Sequence, residues 1–152
     1  MKPFLDALRE TPLLWDGAMG TLLYERGVFL TRSFDELNLS SPELITQVHR
    51  DYIEAGADVV ETNTFGANRI ALAKHGYADQ VVAINSAAVR LARAATAERP
   101  VYVAGAVGPT GVNYEEASEH QLDSSRAAHE EQLRVLIDAG VDILLLETFY
   151  FI

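Results

Sequence analysis

Two acidic residues in this sequence stand where a buried strand would end, a position from which a carboxylate can bind a ligand. Asp16 follows the apolar residues 13–15, and Glu147 follows the apolar run 143–146. An ionised carboxylate accepts strong hydrogen bonds from an ammonium group, so Glu147 suits a cationic substrate group. The structural alternatives are a solvated acid in an ordinary turn for Asp16 and a cap of the next helix for Glu147.

A loop of small residues follows Asp16. Gly17 and Ala18 carry little or no side chain, so their backbone N–H groups could approach an anionic ligand closely. The spacing is not G-x-G-x-x-G, and no dinucleotide site is predicted. An ordinary strand-to-helix turn is the alternative interpretation.

A second polar cluster occupies residues 61–64. Asn63 can both donate and accept hydrogen bonds, which suits a polar ligand. Glu61 is either part of the same site or the partner of a Lys or Arg inside the fold. The histidines lack the spacing of metal ligands, and we expect all four on the surface: His49, His75, His120 and His129.

The elements that must position these residues contain a repeated pattern. The sequence Ala-Gly-x-Asp followed by an apolar run occurs around Gly56 and again around Gly140. Each copy is typical of a helix end, a glycine stop, a buried strand and then polar residues. When the two copies are aligned, Asn63 and Glu147 fall at the same position, so we expect both at strand ends.

The remaining periodicity predicts alternating strands and helices. Four strands are predicted, at 13–15, 57–62, 101–107 and 142–146. Helices are predicted at 5–9, 21–26, 42–55, 67–75, 79–98 and 124–139, with an exposed loop at 112–122.

This order predicts an α/β fold, a parallel (β/α) barrel of TIM type, of which the chain would supply about the first four units. Residues 1–152 would then be the N-terminal portion of a (β/α)₈ domain, since a whole barrel needs about 250 residues. An open doubly wound sheet is the alternative, and a phosphate ester bound at residues 17–20 would favour it.

Composition narrows the classes of function. The 152 residues are 49% hydrophobic and carry a net charge of −10, with no basic stripe, so nucleic-acid binding is not expected. There are no cysteines, which excludes disulfides and thiolate metal sites within these residues. No apolar run approaches about 20 residues, and no signal peptide is recognised, so we expect a cytoplasmic location without membrane contact.

Four segments, taken together and in order, resemble the homocysteine S-methyltransferase domain family. They are Trp15-Asp16-Gly17-Ala18-Met19-Gly20-Thr21, Glu61-Thr62-Asn63-Thr64-Phe65-Gly66-Ala67-Asn68, Gly108-Pro109-Thr110-Gly111 and Glu147-Thr148-Phe149. The resemblance implies a (β/α)₈ barrel that transfers a methyl group to the L-homocysteine thiol and yields methionine.

The same resemblance implies roles for individual residues. Asp16 and Glu147 would hold the homocysteine amino group, the N–H groups of Gly17 and Ala18 would take its carboxylate, and Asn63 would be a secondary contact. No catalytic or metal-binding residue is implied within this chain.

The family's zinc, held by three cysteines, would present the thiol as a thiolate. The sequence lacks cysteine, so we expect those ligands outside residues 1–152 and these residues alone to be catalytically incomplete. The methyl donor stays open among methylfolate with cobalamin, betaine and S-methylmethionine. A non-catalytic amino-acid-binding or self-associating half barrel is the alternative function, and a half barrel is expected to self-associate through open edges.

Overall fold

The computed structural model describes residues 1–29, 31–97 and 99–150. Its strands are β1 (Val59–Glu61), β2 (Tyr102–Val107) and β3 (Ile143–Leu146). Its helices are α1 (Phe4–Glu10), α2 (Met19–Glu25), α3 (Leu37–Ser40), α4 (Pro42–Glu54), α5 (Arg69–Ala73), α6 (Val81–Ala95) and α7 (Glu119–Ala139), with a 3₁₀ turn at Ala78–Gln80. None of the helices in the described ranges combines the length and apolar character that a membrane crossing requires.

The three strands form one parallel sheet in the order β1-β2-β3. Chain order and spatial order are therefore the same, as they are along part of a barrel wall; a doubly wound sheet reverses its order at a switch point. The predicted strands at 57–62, 101–107 and 142–146 are confirmed, and each observed strand is slightly shorter than predicted.

The predicted strand at 13–15 is reduced to a single parallel bridge between Trp15 and Val59. Leu14 and Asp16 still exchange backbone hydrogen bonds with the start of β1, for example from the Asp16 N–H to the Val59 carbonyl at 3.0 Å. The segment thus extends the order of the sheet by one position, and it holds Asp16 beside the end of β1.

Helices cover one face of the sheet, which we call the outer face. Val60 and Val103 pack there against Ile53 of α4 and Ala92 of α6. At Gly105 of β2 a Cβ would lie 3.2 Å from the Leu136 side chain, so the glycine allows α7 to approach the strand closely. This packing fixes the strand ends relative to the helices.

The opposite face of the sheet, which we call the inner face, is covered by α1 near the amino ends of the strands, its lower end. Phe4 makes edge-to-face contacts with Trp15 and Tyr102, at ring-centroid distances of 6.1 and 5.5 Å. The Tyr102 hydroxyl donates to the Lys2 carbonyl at 2.7 Å. Because α1 closes the lower end, the carboxyl ends of the strands are where this face opens.

Both copies of the Ala-Gly-x-Asp repeat use their aspartate in the same way. Asp58 accepts a hydrogen bond from the Leu14 N–H at 2.8 Å, and Asp142 accepts one from the Val103 N–H at 2.8 Å. The first carboxylate therefore ties the start of β1 to the segment that bridges to it, and the second ties the start of β3 to β2. Gly56 and Gly140 have positive φ angles of 107° and 89°, as helix-ending glycines do.

Several predicted helix bounds were wrong. Helix α7 begins at Glu119 rather than at 124, because Ser118 and Gln121 form a capping box. The predicted loop at 112–122 therefore ends early. The helix predicted at 79–98 is a 3₁₀ turn followed by α6, and Glu98, its predicted end, lies outside the described residues. The short helix α3 was not predicted.

The expectation that all four histidines lie on the surface was also wrong. His49 of α4 is fully buried, and neither ring nitrogen has a hydrogen-bond partner among the described residues. Burial lowers the pKa of His49 to about 4, so the ring is neutral near pH 7. His129 is half-buried, whereas His75 and His120 are exposed.

Candidate functional site

A cavity of about 640 Å³ opens at the carboxyl ends of the strands. All five residues predicted for the site line this cavity: Asp16, Gly17, Ala18, Asn63 and Glu147. The cavity is bounded by the loop after Trp15, the segment 32–35, the end of β1 with residues 62–66, Ala106 and Glu147. The structure therefore brings all the predicted positions to one place.

Asp16 lies at the floor of this cavity. One carboxylate oxygen, Oδ2, accepts a hydrogen bond from the Glu61 N–H at 3.0 Å. The other, Oδ1, is buried and has no hydrogen-bond partner among the described residues. Burial raises the pKa of Asp16 to about 7, and the negative charge of Glu61 adds to the rise. Asp16 thus offers an uncompensated acceptor that a cationic ligand group would satisfy.

Glu61 and Glu147 extend from the ends of β1 and β3 into the same cavity. Burial, and then the charge of Glu147, raises the pKa of Glu61 to about 7. Burial also raises the pKa of Glu147. Of the two interpretations of Glu61, the structure favours a place in the site over pairing with a Lys or Arg, since no ion pair in the described part of the chain includes it.

Gly17 and Ala18 form an exposed rim beside Asp16. Their N–H groups donate no hydrogen bond to another described residue, so both remain available to an anion. Tyr52 of α4 supports this rim, because its hydroxyl donates to the Ala18 carbonyl at 3.3 Å. A Cβ at Gly17 would lie 2.9 Å from that hydroxyl oxygen, so only glycine fits without a shift.

Asn63 lines the cavity, but its amide N–H₂ group is already engaged. It donates to the Phe34 carbonyl at 2.7 Å and to Asn38 Oδ1 at 3.3 Å. The Asn38 amide in turn donates to the Asn63 carbonyl at 2.7 Å. Asn63 therefore holds the segment that forms one wall of the cavity.

Asp35 fixes the same wall at a second point. Its Oδ1 accepts a hydrogen bond from the Gly66 N–H at 2.9 Å. Burial raises the pKa of Asp35 to about 6, although the Gly66 hydrogen bond acts in the opposite direction. Nearby, Arg32 forms an ion pair with Glu36 rather than with the cavity acids.

The loop at 108–111 is anchored to α7. The Thr110 hydroxyl lies 2.8 Å from that of Ser125, and both residues are buried. His129 Nε2 lies 3.2 Å from the Gly108 carbonyl oxygen, and its ring stands 5.6 Å from that of Phe149. These contacts give the loop a structural role at the side of the cavity.

The donor groups of this chain do not fit a thiolate-bound zinc ion. The sequence contains no cysteine. Within the described ranges no three His, Asp or Glu side chains are grouped so that they could hold a metal ion. No step of catalysis is therefore assigned to a metal held by these residues.

The sequence profile of the homocysteine S-methyltransferase family matches residues 13–152. The chain belongs to the homocysteine S-methyltransferase family. The cavity acids and the Gly17-Ala18 rim described above all lie within the matched range.

Solved structures of the homocysteine methyltransferase MmuM from Escherichia coli are similar to this member of the family. The metallated form is 34% identical, with a TM-score of 0.79 over 96% of this chain and 57% of that chain. The oxidised form is 34% identical, with a TM-score of 0.77 over 95% and 56%. The apo form is 32% identical, with a TM-score of 0.66 over 94% and 51%. The chain thus spans a little over half the length of these relatives.

Sequence reasoning missed the supports of the site in this homocysteine S-methyltransferase family member. Tyr52 lies inside the helix predicted at 42–55, where no site residue was expected, and Phe34 and Asp35 lie in a segment without a recognisable motif. Gly17 lies against Tyr52, and Gly66 lies against Asp35. These contacts join residues far apart in the sequence, so they become visible only in the folded structure.

Proposed function

We propose that this chain is the amino-acid-binding, N-terminal part of a homocysteine S-methyltransferase domain that forms a (β/α)₈ barrel. The parent domain transfers a methyl group to the L-homocysteine sulfur: a new S–CH₃ bond forms while the bond from the methyl group to its donor breaks. The thiol proton leaves, and methionine is the product.

The observation that carries this proposal is the meeting of Asp16 and Glu147 in one cavity beside two free backbone N–H groups. The ammonium group of homocysteine would lie between the two carboxylates, where Asp16 Oδ1 lacks a partner. Its carboxylate would accept hydrogen bonds from the N–H groups of Gly17 and Ala18. Charge-assisted hydrogen bonds of both signs would thus fix the orientation of the amino acid.

Asn63 is proposed as a secondary contact. Its side chain lines the cavity, and its hydrogen bonds to Phe34 and Asn38 hold the wall in place. A polar ligand atom would meet an amide that is already oriented.

The metal and the methyl donor are proposed to act from outside these residues. The family's zinc would supply a thiolate at neutral pH when it is bound, and one solved relative is described as a metallated form. Methylfolate with cobalamin, betaine and S-methylmethionine remain the candidate donors. A cytoplasmic location is part of the proposal, and fractionation of the native cells tests it.

Binding calorimetry with L-homocysteine tests the proposal. The wild-type chain should bind it, and Asp16→Asn should weaken binding by at least about tenfold, because a hydrogen bond to a charged group is lost from a partly buried site. Asp123→Asn, at an exposed position on α7, is the matched control and should bind like the wild type. Equal affinities for all three proteins would contradict the proposed site.

A non-catalytic amino-acid-binding module is the second candidate function, favoured by the absence of cysteine. The two candidates differ in whether the full-length gene product transfers a methyl group to homocysteine. Binding of homocysteine without methyl transfer to it, from any of the three donor classes and with zinc supplied, would support the module. Methionine formation would exclude it.

A further inference from the structure

Helix α7 carries three polar residues on one face. Ser125, His129 and Gln132 follow one another at intervals of four and three residues, which places them on the same side of a helix. Ser125 and Gln132 are buried, and His129 is half-buried. Buried polar groups are normally engaged in hydrogen bonds, so the partners of this α7 polar stripe show what the helix holds in place.

Gln132 holds the segment that follows β1. Its Nε2 donates to the Thr64 carbonyl at 2.7 Å and lies 3.4 Å from Asn85 Oδ1. Asn85 of α6 is also fully buried and donates to the Ala67 carbonyl at 2.8 Å. Side-chain amides from two helices therefore fix two backbone carbonyls of this segment, and Thr64 itself lines the cavity.

Two hydroxyl groups join the same segment to β2. The Thr64 hydroxyl donates to the Ala106 carbonyl at 2.7 Å, so the 2.6 Å contact between the Thr62 and Thr64 hydroxyls uses the Thr62 proton. The Thr62 oxygen accepts from the Ala106 N–H at 3.1 Å. Each hydroxyl thus has one consistent direction, and the position of Thr64 is tied to that of Ala106, another residue of the cavity wall.

The other two members of the stripe hold the loop after β2. His129 Nε2 donates to the Gly108 carbonyl at 3.2 Å, since a carbonyl oxygen can only accept. The Ser125 hydroxyl lies 2.8 Å from that of Thr110. The Gly108 N–H in turn donates to the Phe65 carbonyl at 3.0 Å, which links this loop to the segment held by Gln132.

The stripe also reaches the segment after β3. The His129 ring stands 5.6 Å from the ring of Phe149, and Phe149 is two residues beyond Glu147. One helix face therefore contacts the chain after each of the three strands. These are the segments whose carboxyl-end residues surround the cavity.

We propose that the α7 polar stripe positions the substrate site and that Gln132 is a positioning residue for homocysteine, an inference that rests on the function proposed above. None of the three stripe residues lines the cavity, so each acts through the segment that it holds. Binding groups must be held within a fraction of an ångström of the productive geometry, and buried hydrogen bonds from one rigid helix meet that requirement.

Calorimetry with L-homocysteine on the wild-type chain and on Gln132→Met tests the proposal. Methionine is unbranched and of similar length to glutamine, but it has no N–H donor. The buried Thr64 carbonyl then lacks its donor, and the segment must shift to regain one. The affinity for L-homocysteine should fall by about fivefold or more, as expected for the loss of one buried hydrogen bond.

Leu136→Ala is the matched control. Leu136 is buried on the same helix and packs against Val89 and Val107, so its truncation leaves a cavity without removing a hydrogen bond from the site segments. Stability in urea should fall, whereas the affinity for L-homocysteine should stay within about twofold of the wild-type value. A merely structural role for Gln132 predicts instead that both variants lose affinity in proportion to their loss of stability.

Amide hydrogen exchange is a second measurement, which needs no ligand. The Gly66 N–H donates to Asp35 Oδ1 at 2.9 Å, and the Gly108 N–H donates to the Phe65 carbonyl at 3.0 Å. Both groups therefore report on the site segments. In Gln132→Met, exchange at both should become faster relative to the amides of α4, because the segments open locally. Leu136→Ala should show no such selective increase.

His129→Phe tests the stripe at a half-buried position, and it decides the matter if Gln132→Met does not fold. Phenylalanine keeps a ring beside Phe149 but cannot donate to the Gly108 carbonyl. Exchange at the Gly108 N–H should be faster, and the affinity for L-homocysteine should fall about two- to threefold.

Wild-type affinity and unchanged exchange in every folded stripe variant would overturn the proposal, and so would an equal loss of affinity in Leu136→Ala and Gln132→Met. Either result leaves the proposed function intact. A wild-type chain that binds no L-homocysteine would overturn the proposed function, and the exchange rates would then decide by themselves whether the stripe positions these segments.

Discussion

At the scale of single residues, the chemistry of this chain lies in groups that the fold keeps short of partners. Asp16 has a buried carboxylate oxygen without a hydrogen-bond partner among the described residues, and Glu61 faces another acid instead of a cation. Such groups cost stability in a folded chain, since buried polar atoms are normally satisfied. A ligand with an ammonium group would remove that cost, which supports the proposal that these acids bind the substrate.

His49 provides a prediction about stability at this scale. Its folded-state pKa of about 4 lies below the ordinary histidine pKa of 6.5, so the unfolded chain binds the proton more readily. Stability is therefore fully present above about pH 6.5 and is lost as the pH falls toward 4. The shift corresponds to a loss of about 2 kcal/mol between pH 8 and pH 5.

The variant His49→Leu isolates this effect, because it replaces a ring without hydrogen bonds by an apolar side chain of similar size. Urea unfolding at pH 8 and pH 5 should show a smaller loss of stability at pH 5 for the variant than for the wild type. His120→Leu, at an exposed position, is the matched control. An identical pH dependence in wild type and His49→Leu would refute the prediction.

At the scale of elements, the two Ala-Gly-x-Asp repeats act as clamps between neighbouring strands. The Asp58 carboxylate accepts an N–H from the segment that bridges to β1, and the Asp142 carboxylate accepts one from β2, each at 2.8 Å. Asp142 also forms an ion pair with Arg93 of α6 at 2.8 Å. The sequence pattern therefore encodes the register of the strands, and that register in turn places Asn63 and Glu147 at strand ends.

Removing one clamp should destabilise the sheet by a measurable amount. Asp142→Ala leaves the N–H of buried Val103 without its acceptor, which should lower the free energy of unfolding by about 1–3 kcal/mol. Asp142→Asn retains an acceptor oxygen and should cost less. Asp138→Ala, which changes an exposed acid on α7, is the control. If Asp138→Ala lowered the free energy of unfolding as much as Asp142→Ala, the clamp would be contradicted.

At the scale of the whole molecule, the far edge of β3 and part of the outer face remain uncovered in the described structure. Leu144 and Leu146 of β3 are 37% and 62% exposed, and Ile137 of α7 is 57% exposed. Unpaired strand edges and contiguous apolar surface both favour association. We therefore keep the proposal that these residues alone self-associate.

Sedimentation velocity over a range of concentrations tests this proposal. The wild-type chain should form dimers or larger species, and Leu146→Lys should shift the distribution toward the 16.7 kDa monomer. Val82→Lys, which replaces a comparably exposed side chain on α6, should not. A wild-type chain that stays monomeric at every concentration would disprove self-association.

The sequence predicted the helix-strand alternation well wherever local chemistry was decisive. The apolar runs at 101–107 and 143–146 became β2 and β3 because continuous apolar runs suit strands buried in a parallel sheet. The start of α7 was readable from the Ser118–Gln121 capping box and was placed too late. The strand at 13–15 failed because only one residue bridges to β1, which depends on its neighbour rather than on its own composition.

The sequence by itself determined the alternation of helices and strands, the glycine-ended helices and the positions of Asp16, Gly17, Ala18 and Glu147 at the ends of apolar runs, because these follow from local periodicity and from turn chemistry. The order of the strands in the sheet was decided by their pairing in the folded chain. Only the tertiary structure decided which acids share a cavity and which polar groups are left without partners. Those properties depend on contacts between residues far apart in the chain. The presence of Glu61 and Glu147 in one cavity, the engaged Asn63 amide and the buried His49 therefore emerged from packing.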